Sequence, residues 1–124
     1  MKGDASGAWN DELQQKWEAL GLTADLSEQA DASYYAIISE GEVVAEEMGK
    51  QRLQRKGAVQ DGLLRYEIIS GGTDAGNTGS IKISGADHCK NSRGLNIVVY
   101  DNYLWRVVDS VTFDTHEPEL EAKR

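Results

Sequence analysis

A mainly β fold with a minor α component, an antiparallel sandwich-like sheet of about six strands with an amphipathic helix packed on it from the N-terminal side, is what the sequence predicts. Three observations predict it. Apolar residues recur at helical spacing only near the start, at Trp9, Leu13, Trp17 and Leu20. From Ser33 onward the period changes to two. Between the alternating runs lie clusters of Gly, Asn, Asp and Ser, the residues turns require.

The elements follow in order. Residues 1–8 are small and polar and read as a frayed or appended end. A helix is expected over about 10–20, with Asn10 as N-cap, Asp11 and Glu12 at its positive end and Gly21 just past its C-terminus. The helical region as a whole is placed at 9–31, with a second short turn through Asp25–Ala30. Ser33–Ser39 and Glu42–Met48 flank Glu40-Gly41 as a hairpin. Leu63–Ile69 reads as a strand, and Ser80–Ser84 as a half-buried one. Leu95–Tyr100 is almost continuously apolar, which predicts a central strand covered on both faces. Arg106–Phe113 alternates again. Gly57–Gly62, Gly71–Gly79 and Ser84–Gly94 are the turn-rich connections. The β core spans 33–115 within a single domain at 9–116, and 117–124 is a charged tail expected to be loose.

Composition bounds function. A chain of 124 residues, 40% of them apolar, is one domain by length and needs no disulfide or metal to fold. Thirteen basic and twenty-one acidic residues give a net charge of −8, which argues against a nucleic-acid partner, since phosphate binding needs a basic surface. No apolar run approaches the roughly 20 residues of a membrane span, and no targeting signal is read at Met1-Lys2-Gly3-Asp4, so direct membrane insertion is not expected. The single cysteine, Cys89, excludes an internal disulfide.

Three blocks carry a resemblance. Gly76-Asn77-Thr78-Gly79-Ser80-Ile81-Lys82-Ile83 precedes Asn91-Ser92-Arg93-Gly94-Leu95-Asn96-Ile97-Val98-Val99, and then comes Val107-Val108-Asp109-Ser110-Val111-Thr112-Phe113-Asp114-Thr115. In order and spacing they resemble the interleukin-like EMT inducer (ILEI/PANDER-type) domain, with its Arg-Gly-Leu/Ile-Asn strand, hairpin and Val/Leu-Asp-x-x-x-Phe-Asp strand. Gly76–Thr115 covers about a third of the chain. The resemblance implies a β-rich fold without catalytic residues. Relatives stand in secreted signalling proteins, beside hyaluronan-processing domains, and in the stem of a protein O-mannose N-acetylglucosaminyltransferase, where the domain binds sugar. The short bacterial and phage versions look like accessory modules on envelope enzymes, and the helix with the Ser33–Gly49 hairpin is similar to those. Two features depart from the pattern. Longer animal domains continue past Phe-Asp with a helix and further strands, so contacts made there are not carried over. The hairpin after Asp101 also bears Tyr103-Leu104-Trp105 where relatives have a polar, glycine-containing tip.

The function expected on this basis is a noncatalytic carbohydrate-binding accessory module, part of a larger envelope or glycan-active protein in an extracytoplasmic setting. The alternative is a protein-interaction or spacer module. An enzyme using Asp109 or Asp114 as general base is the third and weakest reading. The partner is a glycan or another protein, and no cofactor or metal is expected.

Each candidate group carries two readings. Arg93 with Asp109 and Asp114 either clamps a polar ligand, the guanidinium fork matching a carboxylate, or ties a loop to the sheet. Asp74, Asn77, Asn91 and Asn96 either meet sugar hydroxyls, which an amide can both donate to and accept from, or serve turns. Tyr103 and Trp105 either stack on a sugar or anchor an interface, or fold back onto Trp9 and Trp17. Other patterns are set aside. Gly71–Thr78 lacks the lysine and following helix of a phosphate loop. His88-Cys89 with His116 lacks ligand geometry, because adjacent strand residues face opposite ways. No spacing suggests a serine–histidine–acid triad. Glu46-Glu47 reads as solvated, and the Lys50–Lys56 charge run as a solvated strand or loop.

Overall fold

The structure, a computed structural model, describes residues 9–25, 31–115, 117 and 119–124. The expected tail at 1–8, most of the expected turn at Asp25–Ala30, and His116 and Pro118 lie outside the described residues.

One helix, α1 (Asp11–Ala19), opens the described chain. Asn10 caps it, its side chain accepting a hydrogen bond from the Leu13 N–H at 2.9 Å, so one orphan donor of the first turn is satisfied. Trp9 and Trp17 meet edge to face at 5.2 Å. Trp17 also lies against Tyr34 and donates its indole N–H to the Tyr34 hydroxyl at 3.2 Å. Glu46 extends that contact, accepting from the Tyr34 hydroxyl at 2.7 Å and from the Thr23 N–H at 2.8 Å and hydroxyl at 2.8 Å.

Nine strands follow among the described residues: β1 (Ser33–Ser39), β2 (Glu42–Gly49), β3 (Leu53–Val59), β4 (Leu64–Gly71), β5 (Thr78–Ile83), β6 (Ala86–Asp87), β7 (Leu95–Asp101), β8 (Arg106–Phe113) and β9 (Ala122–Lys123). They form three antiparallel sheets, β1-β2, β3-β4-β5-β6 and β7-β8-β9. The β1-β2 hairpin turns at Glu40 and Gly41, both at positive φ (53° and 79°), the conformation whose twist matches the flanking strands. The first two sheets are stitched together by buried serines. Tyr34 N–H donates to Ser70 Oγ at 2.9 Å, and Gly72 N–H donates to Ser33 Oγ at 2.9 Å. Gly72 must be glycine, since a Cβ there would overlap the Asp31 carbonyl.

The strand count and two placements differ from expectation. About six strands were expected and nine are present. β6 and β9 are two-residue pieces too short to carry a period. β3 runs through Lys56 and Gly57, across the expected charged run and into the expected turn. It is an outer strand with exposed charged positions, so burial does not impose clean alternation on it. Lys56 of β3 faces Glu67 of β4, which in turn faces Lys82 of β5, at 3.1 Å and 3.5 Å. The expected central strand, β7, instead lies at the edge of its sheet and pairs with β8 alone. Its continuous apolar run reports what its side chains prefer, not how many neighbours the topology supplies. The charged tail, expected to be loose, returns so that Ala122 and Lys123 pair with Phe113 and Thr112.

Buried apolar residues among those described are few: Leu22, Ala32, Tyr34, Tyr35, Leu64 and Val111. Between β1, β4 and β5 on one side and β7 on the other runs an apolar cleft of about 460 Å³, lined by residues including Tyr35, Ile68, Ile81, Leu95 and Ile97. Its lining residues on β7 are half-exposed, and Val99 is exposed.

Candidate functional site

The chemistry-bearing residues fall into two groups at opposite ends of the β7-β8 hairpin. The first group is the loop end. Arg93 precedes β7 and Asp114 follows β8, so the pairing of Leu95 with Phe113 brings them side by side. The guanidinium grips the carboxylate with both prongs, Nε to Oδ1 at 3.0 Å and Nη2 to Oδ2 at 2.7 Å, and Nη2 also reaches Glu117 at 3.4 Å. Gly94 between them sits at φ +96°, where a Cβ would overlap the Phe113 carbonyl and crowd the Thr115 N–H. That close approach is why Arg-Gly and Phe-Asp-Thr occur together. Asp109, expected alongside Arg93, is held instead by Arg124, Nε to Oδ1 at 3.1 Å and Nη2 to Oδ2 at 3.1 Å. Distance explains the split, since Asp109 lies five residues up the strand from Asp114, roughly 17 Å away and too far for one fork.

The asparagines bind the connections to one another. Asn91 Oδ1 accepts from the Gly79 N–H at 2.9 Å, which fastens the 84–94 connection to the start of β5. Asn96 accepts from the Ser92 N–H at 3.1 Å and donates to the Ser92 carbonyl at 2.8 Å. Asn77 and Asn91 both occupy the left-handed region (φ 47° and 53°), and the Asn77 N–H closes a turn onto the Gly72 carbonyl at 3.0 Å. Asp74 and Asn77 have exposed side chains. The loop end therefore brings Arg93 and Asp114 together, with Asn96 on the Ser92 backbone and Asn91 on the start of β5, and all four spend hydrogen bonds on the loops themselves; Asp74 and Asn77 lie in the turn after β4.

Two further residues of this end were not foreseen. Asp87 Oδ1 accepts from the Ile81 and Cys89 N–H groups at 3.1 Å and 3.0 Å, and Oδ2 accepts from the Ser80 hydroxyl at 2.8 Å. Burial opposes its ionisation, and these donors outweigh it, so its carboxyl sits below the ordinary range. The local signal was an Asp two residues before a backbone donor. Thr115 is buried, and its hydroxyl has no hydrogen-bond partner among the described residues. No sequence pattern marks it. Among the described residues no group of three or more His, Cys, Asp or Glu stands where it could hold a metal ion, and no helix is long and apolar enough to cross a membrane.

The second group is the hairpin tip. Asp101 Oδ1 accepts from the N–H groups of Tyr103 and Leu104 at 2.7 Å and 3.0 Å, fixing the turn. Tyr103, Leu104 and Trp105 are 94%, 56% and 54% exposed. Trp105 adopts φ 52°, a conformation that a bulky residue rarely accepts and that concentrates where a side chain must be aimed. Trp9 and Trp17 are covered by each other and by Tyr34, not by this tip. A seven-residue strand separates tip from loop end by about 20 Å. Tyr103 and Trp105 therefore do not converge with the Asn and Arg residues on one ligand.

Family models, curated proteins and solved structures were compared with the chain, and none matches.

Proposed function

We propose that the chain is a noncatalytic carbohydrate-binding accessory module, working within a larger envelope or glycan-active protein outside the cytoplasm. The observation that carries the reading is the β7-β8 tip, where two aromatic rings and a leucine stand exposed on a turn pinned by Asp101. A ring held out in this way presents a flat apolar face to the C–H face of a pyranose without a large ordering cost. In this reading the β1, β4 and β5 faces and the β7-β8 faces are the two layers of a sandwich-like domain of the ILEI type, with α1 closing one end. The loop end, tied internally, acts as the frame, with exposed Asp74 and Asn77 left as secondary polar contacts. The guanidinium pairing of both Asp109 and Asp114 supports the noncatalytic part of the reading.

The test is a glycan array followed by NMR titration of a binding sugar. The Trp105 indole and Tyr103 signals are expected to move, and Trp105→Ala is expected to weaken binding about tenfold, the effect of losing one stacking ring. Array-wide silence, or shifts confined to other residues, would refute the assignment. Exposed Leu104, which has no part in reading a sugar, favours a second reading in which the tip anchors a protein. Protection of Trp105 from oxidative footprinting only inside a larger assembly, with no glycan bound, would favour that one.

A further inference from the structure

We infer that β7 is an assembly edge, and that a second copy of this chain pairs with it antiparallel, strand to strand. The inference starts from a mismatch between sequence and position. Leu95–Asp101 has the composition of a central strand, yet it sits at the edge of its sheet with β8 as its neighbour among the described residues, and Val99 is 44% exposed. The other outer strands are blunted or covered. β2 carries Glu42, Glu46 and Glu47, and β3 carries Arg55 and Lys56. β1 is uncharged, but its first residues are buried against β4 through Ser33 and Ser70. β6 and β9 are two residues long. Charge and shortness blunt an edge, and β7 is seven residues long with its one charge, Asp101, at its last position and its one register shift near that same end, between Val99 and Tyr100.

A second copy fits this edge by its own sequence. Antiparallel pairing about Val98 sets Ile97 opposite Val99, Asn96 opposite Tyr100 and Leu95 opposite Asp101, and the two-fold axis makes each match occur twice. Asp101, the one charged residue of β7, then stands away from its own copy. The position diagonal to it across the pair is that of Arg93, two residues before β7, whose guanidinium is held by Asp114 and Glu117 and is half-exposed. Like charges are kept apart and unlike charges brought near, although the chain as a whole carries −8. The product is one continuous six-stranded sheet in the order β9-β8-β7 and then the same strands reversed. A strand pair of this length buries area at the low end for stable complexes, so the dimer is reversible and concentration-dependent.

Sedimentation velocity of the whole chain over a concentration series tests this. The sedimenting mass is expected to double as concentration rises. Val99→Lys, a substitution at an exposed position whose folding is checked by far-UV circular dichroism, is expected to stay monomeric. Trp105→Ser, which removes the proposed sugar contact, is expected to keep the dimer, so the two proposals fail separately. Amide exchange supplies a readout that needs no variant. At high concentration every second β7 amide, those not bonded to β8, should gain protection. A wild-type chain that stays monomeric to millimolar concentration overturns the inference. So does a folded Val99→Lys chain that still dimerises, or β7 protection that does not change with concentration.

Discussion

At the scale of single residues, Asn91, Arg93, Asn96 and Asp114 hold loops to one another. Gly94 belongs to the same joint, because its backbone passes against Phe113 and Thr115 where no side chain fits. Gly94→Ala is expected to destabilise by about 3 kcal/mol, combining left-handed strain with overlap, and thermal unfolding would read it as a fall in midpoint. Glu46 is another joint, and it gives a pH dependence. Burial opposes its ionisation, but donation from Tyr34, Thr23 and Ala24 prevails and holds its carboxyl below the ordinary value of 4.5. A carboxyl lowered in the folded state contributes stability that is complete above pH 4.5 and fades as pH falls through the folded value. Glu46→Gln should cost about 1 kcal/mol at neutral pH and flatten the acid arm of a urea-unfolding series. An acid arm identical to that of the wild type would show that Glu46 does not latch the segment after α1.

At the scale of elements, legibility depended on whether local rules or neighbours decide the outcome. α1 was readable because its cap, its charges and its tryptophan spacing are all local. Asn10→Ala should therefore cost about 1 kcal/mol and lower helical signal in circular dichroism, with the β signal retained. The β1-β2 hairpin was readable for the same reason, Glu40-Gly41 being a turn that writes its own register. β8 matched its expected bounds at Arg106–Phe113. β3 was missed because an outer strand tolerates charges that erase alternation, and β9 was missed because two residues carry no period. β7 was found as a strand and misplaced as central, since side-chain preference does not encode how many strands will stand beside it.

At the scale of the whole molecule, the buried apolar set among the described residues is small, and the facing surfaces of β1, β4, β5 and β7 line an open apolar cleft. An uncharged naphthylamine dye should therefore bind the native chain reversibly and brighten, without loss of β signal in circular dichroism. A native state that leaves the dye dark would mean that the layers close on each other in solution. The distance between tip and loop end belongs to this scale as well. A ligand reaching both would need to span about 20 Å, so glycan contact is argued from the tip.

The sequence by itself determined the mainly β class, the capped helix and the hairpin at Glu40-Gly41. Each of these is set by neighbours in the chain or by a short motif, where geometry follows directly from residue type. Only the tertiary structure decided that Arg93 takes Asp114 while Asp109 takes Arg124, that β7 lies at an edge, and that the aromatic tip stands apart from the asparagines. Those outcomes depend on which strands come to lie side by side. Long-range pairing is a competition among many similar apolar segments, and no local pattern records which of them wins.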